Sequence, residues 1–245
     1  MGCTDSKNKQ SSVIQASVPP RRQAGTPAAP AQTIKGLAPS DKVTVEYFAC
    51  PPGLGYARAG PIRFLLGHAD KRFEMIEYTF EQWGPLKAGG KAGEFGGLPR
   101  VCINGEEFGQ SMATLRMLGA MHGFYDATDW KTCSYVDTIL DAWVDMHDKS
   151  YEVAMFMPTA SAEERAAKMK EYIGKVHEPC LRAMEQFLGT HGGPYIAGPS
   201  VTIADIALVA FLVSMWEAEG GPFTALFKPV LAKYPKVQAY FLRLR

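Results

Sequence analysis

Residues 95–121 read FGGLPRVCINGEEFGQSMATLRMLGAM, and no other stretch restricts the fold as strongly. Leu98-Pro99 opens a short apolar strand, and Asn104-Gly105 is a pair that tolerates φ > 0 at both central positions of a tight turn. A second short strand follows to Phe108, so the stretch predicts a β-hairpin. Gln110-Ser111 then caps a helix, and a helix that begins on a polar cap leaves backbone N–H groups able to receive a carboxylate. An ordinary hairpin–helix connection without any ligand would show the same pattern.

The flanking elements extend this unit. Val43–Phe48 alternates and is rich in β-formers, which predicts a first strand. Pro51-Pro52-Gly53 keeps the next segment out of a helix. Ile62, Leu65, Leu66 and Ala69 then repeat at helical spacing, and residues 73–76 give a second strand. Strand, helix, strand, hairpin and helix make a split βαβ–ββα unit, whose right-handed crossover sets the first two strands parallel. From Lys131 the pattern turns helical, with Val136, Ile139, Leu140, Trp143, Val144 and Tyr151 on one face. A second long helix is predicted over 162–188, kinked at Pro179. Thr202 and Asp205 form an N-cap pair before a central apolar helix bearing Ile206, Val209, Ala210 and Val213. A last helix is predicted over 229–245.

Composition removes several classes of function. With 26 basic and 25 acidic residues among 245, the chain has no nucleic-acid footprint. No apolar run approaches the roughly 20 residues that a membrane helix needs. The five cysteines are scattered without a C-x-x-C pair, which favours a reducing compartment and removes the dithiol motif. The histidines show no metal-ligand spacing, and no phosphate loop is present. Residues 1–42 differ from the rest: Ser, Gln, Ala and Pro dominate, and the segment is expected to be disordered. Its start, M-G-C-T-D-S, fits an N-myristoylation pattern with Gly2 as acceptor and Cys3 as a second acylation point. A secretory signal is not expected. The protein is expected to be cytoplasmic, with peripheral membrane association through an acylated N-terminus.

Taken in order over residues 43–245, these pieces resemble the cytosolic glutathione S-transferases, most of all their sigma-type, prostaglandin D synthase-like branch. The resemblance implies a thioredoxin-like α/β domain (43–122), a connector (123–130) and an all-α domain (131–245). It also implies glutathione as co-substrate, no metal, a small hydrophobic electrophile as second substrate, and a homodimer. Position by position, Tyr47 would hold the glutathione sulfur, supported by Arg58. Trp83 and Lys87 would reach the glycine carboxylate, and Gly97, Leu98 and Pro99 the peptide. Gln110 and Ser111 would hold the γ-glutamyl carboxylate, and Asp141 would reach the amino group bound in the other subunit. Tyr56, Tyr151 and Met155 would line the second-substrate pocket.

The chain departs from the family in three places. The 47–58 loop is longer, which lets Tyr56 compete with Tyr47 for the sulfur. With that longer loop goes Gly60 in place of the usual Glu; extra, mostly glycine, residues separate Lys87 from Pro99; and Gly97 stands where a Gln or Lys side chain often helps hold the peptide, leaving only its backbone. Cys50 resembles the nucleophile of thiol transferases but lies in mid-loop, where no helix N-terminus favours its thiolate. A charge-assisted hydrogen bond of about 1.5–3 kcal/mol covers the ~2 kcal/mol needed to bring a thiol of pKa about 8.5 to half-ionisation at neutral pH. One phenol donor therefore suffices. The alternatives are a glutathione-dependent prostaglandin isomerase or peroxidase, and a non-catalytic carrier or structural protein of the same fold.

Overall fold

The computed structural model describes residues 35–50, 57–93, 95–155, 159–216 and 224–244. Gly2, Cys3 and Tyr56, and the side chain of Met155, lie outside the described set.

A four-stranded sheet has the order β2-β1-β3-β4. Its strands are β1 (Val43–Phe48), β2 (Glu74–Tyr78), β3 (Arg100–Ile103) and β4 (Glu106–Phe108). β1 pairs parallel with β2, Val45 opposite Met75, and antiparallel with β3, Val45 opposite Val101. The hairpin forms as its sequence requires, with Asn104 at φ 52° and Gly105 at φ 93°. Between β1 and β2 a 3₁₀ turn (Ala57–Ala59) leads into α1 (Gly60–His68), which buries Ile62, Leu65 and Leu66.

A helix that periodicity does not announce, α2 (Phe80–Ala88), joins β2 to the hairpin. Gly84 and Pro85 weaken its pattern, but a capping box starts it. Gln82 N–H donates to Thr79 Oγ1 at 3.2 Å, and Thr79 N–H to Gln82 Oε1 at 2.8 Å. The unit closes with α3 (Ser111–His122), ended by Gly123 at φ 80°.

The remaining chain is helical: α4 (Trp130–Met155), α5 (Ala162–Tyr172), α6 (Glu178–Phe187), α7 (Ile203–Phe211), α8 (Thr224–Leu231) and α9 (Pro235–Leu244). The kink expected near Pro179 takes the form of a π turn, Ile173–His177, just before it. Widening the turn there accommodates a ring that lacks an N–H and would crowd the preceding carbonyl. The single last helix predicted over 229–245 is two helices. Pro229 lies inside α8, and α9 begins at Pro235, where a missing N–H costs nothing. Val213, expected on the apolar face, is 37% exposed in the π turn that follows α7.

α7 is central, packing against α1, α3 and α4. Its start is fixed by the buried Asp205 carboxylate, which accepts from Thr202 N–H (2.8 Å), Thr202 Oγ1 (2.8 Å), Ile196 N–H (3.0 Å) and the Tyr240 hydroxyl (2.6 Å). One apolar core runs continuously from the sheet into the helices. Among the described residues, no helix is long and apolar enough to cross a membrane.

Candidate active site

Two cavities adjoin at Arg58 and Leu98, which line both. The first, about 330 Å³, is walled by Gly97, Leu98, Pro99 and Arg100 on one side and by Gln110 and Ser111 on the other. The Leu98–Pro99 peptide is cis. Gln110, expected with Ser111 to cap α3, is the cap alone, and Ser111 is the first helical residue. Gln110 takes φ 63°, ψ 99°, a region costly for a residue with a Cβ. Thr114 holds this corner: its hydroxyl donates to Gly109 C=O at 3.0 Å and its N–H to Gln110 C=O at 2.9 Å. The buried Ser111 and the unpaired N–H groups of the first helical turn make this end of the cavity suited to a carboxylate.

The second cavity, about 420 Å³, is mostly aromatic: Tyr47, Phe48, Phe80 and Tyr151 line it with Leu98, His147 and Asp148. Tyr47 is 3% exposed, and its hydroxyl accepts from the backbone N–H of Arg58 at 3.3 Å. The Arg58 guanidinium is occupied elsewhere, donating to Asp148 at 2.5 Å across the gap between the 3₁₀ turn and α4. Thus it is the main chain of Arg58 that orients the phenol. Burial, and next the neighbouring Tyr151, pushes the Tyr47 hydroxyl above the ordinary phenol range, so it stays protonated. Burial likewise raises Tyr151, to about 12.

His147 stacks between Trp143 and Tyr151, with ring centroids 4.9 and 5.5 Å away, and its Nδ1 lies 3.1 Å from Asp148. Burial holds its imidazole below the usual range. The hydrogen bond from His147, with Arg58 adding to it, holds the Asp148 carboxyl below the usual carboxylate range.

Other expected site residues fall elsewhere. Trp83 is 6% exposed, packed on Phe48 and Tyr78, and lines neither cavity. Lys87 also lines neither, although its stem runs beside Gly96, close to the first cavity's wall. Asp137 is held by Arg116 (2.8 Å) and the Tyr125 hydroxyl (3.1 Å). The side chain of Asp141 is 82% exposed. Burial, and next the Glu77 carboxylate, pushes the Cys50 thiol up to about 11, so it is not ionised at neutral pH.

Arg100, Glu107, Phe80, His147 and Asp148 line the cavities without having been expected there. Arg100 opens β3 just after the cis Leu98–Pro99 bond, and its partner Glu46 lies on another strand, so nothing local in the sequence announces it. For His147 and Asp148 no local signal exists: they arrive on α4. Among the described residues, no group of three His, Cys, Asp or Glu could hold a metal ion.

Comparison with known proteins fits this geometry. Residues 144–245 match the family model described as glutathione S-transferase, C-terminal domain. Glutathione S-transferase alpha I of Oryctolagus cuniculus is 27% identical over 192 residues, covering 76% of this chain and 83% of the relative. The sigma class glutathione transferase of Fasciola hepatica superposes with a TM-score of 0.64 at 24% identity, covering 83% of this chain and 90% of that one. Prostaglandin synthase D of Nilaparvata lugens also gives 0.64, at 19% identity over 83% of this chain and 92% of that one. Alpha-named relatives thus stand beside a sigma-named fold neighbour, and no single branch is selected. The C-terminal domain match, the relatives and the fold neighbours make the chain similar to glutathione S-transferases, and it carries their fold: a thioredoxin-like α/β domain followed by an all-α domain.

Proposed function

We propose that this protein is a glutathione transferase that conjugates glutathione to small hydrophobic electrophiles, with Tyr47 as the group that stabilises the thiolate. The observation that carries this reading is the Tyr47 hydroxyl, buried, protonated and pinned by the N–H of Arg58, a residue lining both cavities. Glutathione occupies the first cavity, its peptide along Gly97, Leu98 and Pro99 and its γ-glutamyl carboxylate at Gln110, Ser111 and the start of α3. Its sulfur then lies toward Leu98 and the Tyr47 hydroxyl. The thiol proton leaves to solvent, the phenol donates to the sulfur anion, and the thiolate attacks the electrophilic carbon, whose leaving group departs with the bonding electron pair. The aromatic second cavity takes the electrophile, with Tyr151 in its wall.

Neither Trp83 nor Lys87 lines a cavity, although the Lys87 stem runs beside Gly96 at the first cavity's wall. The exposure of Asp141 suits it to reach a partner subunit's glutathione in a homodimer.

The test is conjugation of glutathione to a chromogenic aryl halide by the wild type, Tyr47→Phe, Tyr56→Phe and Cys50→Ser. Tyr47→Phe should lose most activity while the other two keep it. Full activity in Tyr47→Phe would sink the assignment, and loss confined to Cys50→Ser would move the protein to thiol transfer. Acylation at Gly2 and Cys3 would tether the chain to the cytoplasmic face of a membrane. That part of the proposal fails if Gly2→Ala leaves membrane partitioning in a eukaryotic host unchanged.

A further inference from the structure

Glutathione carries two carboxylates, and the start of α3 accounts for one. For the other, the residues lining the first cavity include two cations, Arg58 and Arg100. Arg58 is turned toward the second cavity by Asp148. Arg100 remains.

Its guanidinium is fixed from behind. Nε and Nη2 donate to Glu46 Oε2 at 3.1 and 2.6 Å, and the Tyr78 hydroxyl donates to the same oxygen at 3.1 Å. Nη1 donates to the Lys91 carbonyl at 3.1 Å and to Glu107 Oε2 at 3.1 Å, while Cδ lies 3.6 Å from where a Cβ on Gly93 would stand. Arg100 therefore also anchors the glycine-rich segment that forms one wall of the cavity.

Its two carboxylate partners are unequal. The Glu46 side chain is 9% exposed and that of Glu107 is 50% exposed. A solvent-exposed ion pair contributes little, whereas a charge-assisted hydrogen bond within an enclosed cavity is among the strong ones. Glu46 is thus the permanent partner and Glu107 the replaceable one.

We infer that Arg100 binds the glycine-end carboxylate of glutathione, and that Glu107 is a displaceable internal counter-ion which holds Nη1 until that carboxylate takes its place. This rests on reading the first cavity as the glutathione site. It assigns to Arg100 the role that the family resemblance gives to Trp83 and Lys87.

The experiment is calorimetric titration of the full chain with glutathione and with its glycine ethyl ester, which lacks that carboxylate. The wild type should bind glutathione about 10-fold more tightly than the ester. Arg100→Met should reduce glutathione affinity to that of the ester and leave ester affinity within about twofold. Glu107→Gln should tighten glutathione, and not the ester, by about threefold. Discrimination retained in Arg100→Met, or equal binding of both compounds by the wild type, overturns the inference while leaving the cavity a glutathione site. A wild type that binds neither compound overturns the reading of the cavity itself. Should Arg100→Met fail to fold, Glu107→Gln decides, since its position is exposed: tightening confined to glutathione supports the inference, and unchanged affinity overturns it.

Discussion

The two cavities share Arg58 and Leu98 but are assembled from different material. Apart from Arg58, everything lining the first lies between Ala92 and Ser111, a single run of loop, hairpin and helix start. The second draws on β1, the 3₁₀ turn after it, α2 and α4, so that Tyr47 and Asp148 meet only because the sheet and the helices share one core. Recognition on this reading is built locally, and chemistry is built at the contact between the two halves. A local substitution in the first cavity should change affinity alone. A change on the α4 side should reach turnover or stability without altering how glutathione is held.

The largest expected effect is that of Tyr47→Phe. Loss of one hydrogen bond to a thiolate should lower kcat by about 10- to 100-fold while glutathione Kd stays within about twofold. Stopped-flow turnover combined with calorimetry separates the two quantities, and a parallel loss of affinity would erase the division between the cavities.

Next comes acid stability on the α4 side. His177 is fully buried, its Nε2 2.9 Å from Ser150 Oγ, whose hydroxyl donates to the Met146 carbonyl on α4 at 2.8 Å. Burial lowers its pKa from 6.5 to about 4. Below about pH 6.5 the unfolded chain takes up a proton that the folded chain refuses until near pH 4, so stability is present above that window and lost as pH falls through it. At pH 5 the loss from this residue should be about 2 kcal/mol relative to pH 7.5. Urea denaturation at both pH values should show His177→Gln losing about 2 kcal/mol less than wild type on acidification. An identical pH dependence would remove His177 from the account.

The smallest effect belongs to the first cavity. Ser111→Ala should weaken glutathione binding by about tenfold, the lower end for a hydrogen bond to a carboxylate, with kcat unchanged. A fall in kcat of the same size would show that the binding stretch also takes part in the chemistry.

Much of the architecture could be read before any coordinates. The alternation in β1, the Asn104-Gly105 turn and the Thr202–Asp205 pair each act within a few residues, so their chemistry is visible in the string. α2 escaped that reading because its capping box is local but its body, with Gly84 and Pro85, lacks a clean apolar period. The division of 229–245 into α8 and α9 escaped because two prolines compete as starting points, and packing at Tyr234 and Val237 selects the second.

The site divides along the same line. The sequence by itself determined the frame of the first cavity's wall, since the Asn104-Gly105 turn sets the hairpin between Leu98-Pro99 and Gln110-Ser111 and needs no distant partner. Only the tertiary structure decided that Trp83 packs inward on Phe48 and Tyr78, that Arg58 turns its guanidinium to Asp148 and its N–H to Tyr47, and that Arg100 stands in the cavity with Glu46 behind it. Helical spacing such as Trp83-x-x-x-Lys87 gives the face two residues share but not what that face meets. The pairing partners lie on other strands and helices, at separations where the pattern along the chain carries no information about contact.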